Sequence, residues 1–133
     1  MPVMNETDRD QLIQSAKFLF DKGFSLESSD EYSIRLRGEG IQFVLFYERY
    51  DEYSDIYIDF LPENDLYSVG WIACIAEGTT NIDYSKKLEN LLAILDFIKN
   101  NYDEVIDIDY CKNMRQKIDR FIEDSKKKQK DSK

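Results

Sequence analysis

Over residues 32–37 and 54–60 apolar side chains recur at every second position, whereas toward either end of the chain they recur every three or four. A period of two belongs to a strand with one buried face, and a period near 3.6 to a helix with one buried stripe. The order of the two periods predicts an α+β domain. It has an N-terminal helix, an antiparallel sheet of three or four strands in a meander, and C-terminal helices packed on one face. At 133 residues the chain has room for one core, which is assigned to residues 1–123.

The first helix is predicted over 7–22, where Leu12, Ile13, Ala16, Leu19 and Phe20 share a face. Thr7 is the expected N-cap, Asp8 and Asp10 suit the positive end of the dipole, and Gly23 ends the helix with Phe24 folding back. Tyr32, Ile34 and Leu36 then alternate with Ser33, Arg35 and Arg37, and the glycines at 38 and 40 supply a hairpin turn. Ile41 to Tyr47 is apolar on both faces, as a central strand would be. Glu48 to Tyr53 reads as a polar turn. Ile56, Ile58 and Phe60 alternate with Asp55, Tyr57 and Asp59, so the first set is expected inward and the second toward water or a partner.

Leu66 to Glu77 fits both periods. Gly70 and the supply of Val, Ile, Tyr and Trp favour a strand, with Trp71 in the core. Two helical stripes follow, Leu88, Leu91, Leu92, Leu95 and Ile98, then Cys111, Met114, Ile118, Phe121 and Ile122. Residues 102–110 join them through a short helical turn around Val105 and Ile106. Asp103, Glu104, Asp107 and Asp109 suit the N-terminal end of the last helix.

The chain contains no histidine. That removes Ser-His-Asp and Cys-His nucleophiles, imidazole acid–base chemistry and histidine-containing zinc sites. Carboxylate, Tyr or Lys chemistry and oxygen-ligated magnesium or calcium survive. Asp51, Glu52 and Asp55 lack the spacing and glycine of a calcium loop, and no Lys-Ser/Thr follows Gly38 and Gly40 to make a phosphate loop. The expectation is a protein without catalytic residues, cofactor or metal. Cys74 and Cys111 are far apart in apolar-periodic segments and are expected as reduced, buried thiols.

The net charge of −9 disfavours nucleic acid and anionic membrane and favours a basic protein partner. Residues 124–133 hold five lysines and two aspartates, a surplus of +3 that leaves −12 for the remainder. This basic polar tail is expected to fray from the last helix. No apolar run approaches the roughly 18 residues of a membrane span. Residues 1–10 are polar and acidic, unlike a signal peptide, so cytoplasmic residence is expected.

The densest feature lies at 48–65, where seven acids stand against one base with four tyrosines between residues 47 and 57. Asp51, Glu52, Tyr53, Asp55, Tyr57 and Asp59 are the candidate partner-binding residues: carboxylates to steer a basic protein, tyrosines as low-entropy anchors. The plainer alternative is a solvated sheet face between polar turns.

The order helix, strands, helices, with the Tyr67-Ser68-Val69-Gly70-Trp71-Ile72 segment and the stretch from Asn101-Tyr102 through Tyr110-Cys111 to Phe121-Ile122, resembles small bacterial immunity-type proteins. The resemblance implies an intracellular antidote that binds a toxin enzyme and blocks its active site, and it carries over no particular binding residue. The expected function is thus a non-enzymatic, acidic protein-binding domain, monomeric or weakly dimeric, with a basic, nuclease-like toxin as its most concrete partner. Two alternatives stand beside it: a structural or regulatory domain that self-associates through an exposed strand edge, and a carboxylate-dependent hydrolase.

Overall fold

A computed structural model describes residues 4–47, 54–63, 65–78 and 86–131. The chain begins with α1 (Glu6–Ser15) and α2 (Lys17–Asp21), continues through β1 (Ser25–Ser29), β2 (Ser33–Arg37), β3 (Ile41–Phe46), β4 (Asp55–Phe60) and β5 (Asp65–Ser68), and ends in α3 (Val69–Glu77), α4 (Lys87–Asn100), α5 (Tyr102–Val105) and α6 (Ile108–Asp131). The five strands form one antiparallel meander in the order β1-β2-β3-β4-β5. The α+β order is as expected, with five strands rather than three or four.

The helix predicted over 7–22 is present but breaks at Ala16. Its cap is Asn5, whose side-chain oxygen accepts from the Asp8 N–H at 2.8 Å, so Thr7 lies inside the first turn. Gly23 sits at φ 97°, the left-handed conformation a helix end requires, and Phe24 is buried behind it. Asp107 begins α6, its carboxylate accepting from the Asp109 N–H at 2.9 Å. The basic segment from residue 124 carries on as helix to Asp131.

The missed strand is β1. Ser-Leu-Glu-Ser-Ser has no alternation because every residue of it is exposed, and it is held by pairing with β2 and interrupted by a bulge between Leu26 and Ser28. Asp30 fixes the turn between the two strands, accepting from the N–H groups of Tyr32 and Ser33 at 2.8 Å each. The Tyr32 N–H, foremost, holds that carboxyl below its ordinary range.

The larger correction concerns 66–77. Only its beginning is strand; from Val69 the chain is helical. In a helix Val69 and Ile72, three apart, share the inward face, and both are buried. Trp71 is turned away from them by the same geometry. It lies outside the core and packs at 6.1 Å against Phe121 of α6.

The core occupies one face of the sheet. Leu36, Phe43, Ile58 and Tyr67 form one row across four strands, and Ile34, Leu45 and Ile56 the next. Leu12, Leu19, Val69, Ile72, Leu91, Leu95, Ile98 and Met114 close over them from the helices. Both cysteines are free and buried, as expected; the Cys111 thiol donates to the Val105 carbonyl at 3.2 Å, and burial pushes it up to about 12. No described helix is long and apolar enough to cross a membrane.

Candidate functional site

The second face of the sheet carries the residues singled out for binding. Register places Arg35, Val44, Tyr57 and Ser68 in one row, and Arg37, Gln42, Asp59 and Leu66 in the next. Phe46 lies opposite Asp55, and its ring meets that of Tyr57 edge to face at 5.7 Å. Val44 is buried yet lies outside the main hydrophobic cluster, which the described helices cover on the other face. Tyr57 and Phe46 are partly exposed. Asp51, Glu52 and Tyr53, with the turn from Glu48 to Tyr53, lie outside the described residues.

Asp55 and Asp59 share this face with Tyr57 but are engaged inside the fold. One Asp55 oxygen accepts from the N–H groups of Ile56, at 2.7 Å, and Gly70, at 3.0 Å. The other accepts from the Ser68 hydroxyl at 2.6 Å, and that hydroxyl in turn accepts from the Trp71 N–H at 3.2 Å. Asp55 and Ser68 together thus cap α3, whose own first turn holds no acid. A carboxylate borrowed from β4 faces the positive end of the helix dipole.

Asp59, expected toward water, is only 7% exposed. It takes one hydrogen bond from the Gln42 side-chain amide at 2.9 Å, and its second oxygen is buried without a donor among the described residues. Burial of such a group is unfavourable unless its lone pairs are satisfied, so Asp59 is poorly placed to steer a partner from solution. Of the acids predicted for steering, the two that the structure describes are tied into the fold.

A second feature, outside the candidate partner-binding residues, lies at the β5 edge. Arg115 of α6 stacks over the Tyr67 ring at 3.8 Å, bonds the Asp65 carboxylate at 3.2 Å and donates to the Leu66 carbonyl. Tyr67 donates its hydroxyl proton to Asp65 at 2.7 Å. This bond, with the Arg115 guanidinium, holds Asp65 below the usual carboxylate range, while burial, reinforced by Asp65, pushes Tyr67 up to about 12. Lys112 pairs with Glu63 at 3.6 Å one helical turn earlier. Residues 112 and 115 had appeared only as polar positions between core residues of the last stripe. Their three-residue spacing, which puts two cations on one helix edge, was the available signal.

Beside this latch runs a cleft of about 200 Å³, walled by Leu66, Trp71, Ile72 and Ile118 with Arg115 and Asp119 at its rim. Leu66 is 51% exposed, so the wall reaches solvent. Among the described residues no group of three or more carboxylates and thiols could hold a metal ion. The cleft presents aromatic and aliphatic surface bounded by fixed charges. Comparison with family models, curated proteins and solved structures returns no match to this chain.

Proposed function

We propose that this chain is a non-enzymatic protein-binding domain that engages a basic protein through the face of its sheet opposite the helical core. The observation that carries the reading is the Phe46–Tyr57 pair, partly exposed beside Val44 on that face. Two rigid aromatics on a strand scaffold lose little side-chain freedom on binding, which is why such residues serve as anchors. The net charge of −9 supplies long-range attraction for a basic partner. In its most concrete form the domain is a cytoplasmic antidote. A nuclease-like toxin must be electropositive where it holds phosphates, so an acidic inhibitor gains both on-rate and selectivity there.

Asp55 and Asp59 act in this reading as supports for the face, while Tyr57 makes the contact. The test is affinity capture from host lysate, identification of the captured protein, and binding kinetics with it. Tyr57→Ala and Phe46→Ala are each expected to speed dissociation, at a cost on the order of 2 kcal/mol for a hot spot. Association is expected to slow as salt shortens the Debye length to about 8 Å. A captured partner whose rates ignore both substitutions, in variants that remain folded, would remove the reading.

A further inference from the structure

The second half of α6 is built unlike the first. Cys111 and Met114 are buried in the core, and Lys112 and Arg115 tie the helix to Glu63 in the preceding turn and to Asp65 of β5. From Ile118 onward that attachment thins, but the apolar stripe does not stop. Ile118, Phe121 and Ile122 keep the helical spacing: Ile118 is packed against the core, Phe121 rests on Trp71 with more than one-third of its surface exposed, and Ile122 is partly buried. At 1.5 Å per residue the helix is about 36 Å long, so its end stands on the order of 15 Å beyond Phe121. Phe121 thus leaves an apolar ring open to water at the outer edge of its own contact, where a helix facing only solvent would carry polar residues.

Two features give the occupant of that stripe as a second copy of this chain. The first is shape. A projecting ring, Phe121, and an open cleft lie side by side and share Trp71 as a common wall. A two-fold axis needs this neighbourhood, because each copy must present the knob and the hole on one patch. The second is charge. The exposed residues of this half run Asp119, Arg120, Glu123, Asp124, Lys126, Lys127. An antiparallel pairing centred on Ile122 sets Arg120 against Asp124 and brings Asp119 within a residue of Lys126, whereas a parallel one stacks like on like. The end of α6 is moreover the basic part of an otherwise acidic chain, and it is held as helix to Asp131.

We propose that two copies associate through antiparallel α6 helices, with Phe121 of each seated against Trp71 and Ile118 of the other. The strand edges are not the contact, since Arg115 already occupies the Leu66 carbonyl of β5 and a bulge interrupts β1. This goes beyond the binding function proposed above and uses a different surface; its test needs no basic partner, so either can fail alone.

The experiment is sedimentation velocity on the purified full chain across a dilution series from millimolar to micromolar. A reversible monomer–dimer equilibrium is expected, weakened on the order of a hundredfold by Phe121→Glu while the circular dichroism spectrum is unchanged. Arg120→Asp and Asp124→Arg alone should each weaken the dimer, and together restore it. A monomer at every concentration overturns the proposal. So does a dimer indifferent to Phe121→Glu, or a charge-swapped double variant no better than the singles.

Discussion

On one face of β4, Ile56, Ile58 and Phe60 meet helices; on the other, among the described residues, Asp55, Tyr57 and Asp59 meet neighbouring strands and the start of α3. The first face is shielded from water by apolar packing. The second is shielded almost as well at Asp59, by one hydrogen bond within the sheet. The difference teaches that alternation along a strand separates packing surface from polar surface, but does not separate buried from solvated. A polar residue on the outer face of a central strand is hemmed in by its row, here Gln42 on one side and Leu66 on the other.

If the comparison is right, the largest effect comes from the helix-covered face. Ile58 is fully buried in the row Leu36, Phe43, Ile58, Tyr67. Truncating it removes transfer free energy and leaves a cavity between two layers, so Ile58→Ala is expected to cost about 2–5 kcal/mol in denaturant unfolding. Tyr57→Ala, one residue away on the other face, is expected to cost less than half as much. Equal costs would mean that the second face is core as well, and would weaken it as a docking surface.

The next effect tests how the polar face is held. Asp55→Ala strips two partners from the α3 terminus, and a cost of about 2 kcal/mol is expected. The informative substitution is Gly70→Ala. A methyl group there would stand 2.5 Å from an Asp55 oxygen, so alanine should destabilise although it favours a helix over glycine by about 1 kcal/mol. In the Asp55→Ala background the obstruction is gone, and Gly70→Ala should stabilise. This reversal of sign is readable in two pairs of thermal melts. Gly70→Ala that is stabilising in both backgrounds would show that the cap does not hold in solution.

Gly70 also shows why part of the fold was legible in the sequence and part was not. A glycine among Val, Trp and Ile argues for strand on local grounds, and locally the argument is sound. The reason for this glycine is an aspartate fifteen residues earlier, which no window along the chain contains. The same holds for β1, where backbone pairing does all the work and the side chains carry no period. Features written in side-chain periodicity, namely the outer helices, the glycine hairpin and the inward set of β4, could be read directly. Of the candidate binding residues, type and shared face were legible for Asp55, Tyr57 and Asp59. Engagement was not, because Gln42 and Ser68 are ordinary polar residues until register sets them beside a carboxylate.

The smallest effect is expected where the two faces differ most in chemistry, at Gln42 and Asp59. Each is buried and each is the partner of the other. Asp59→Leu alone leaves the Gln42 amide buried without its acceptor, and Gln42→Leu alone leaves a buried carboxylate with no donor among the described side chains. A single loss of this kind costs about 1–3 kcal/mol, since the stranded group carries its full desolvation penalty. The double substitution removes both polar groups at roughly constant volume and strands nothing. It is therefore expected to fall within about 1 kcal/mol of the parent, below either single variant, because a buried charge pair or hydrogen-bonded carboxylate adds little net stability over an apolar replacement. The double-mutant cycle in urea measures this as a coupling of favourable sign. Additive costs would break the comparison: they would mean that Asp59 answers to something besides Gln42. Its donor-less oxygen, buried on the face proposed to meet a partner, would then be the place to look.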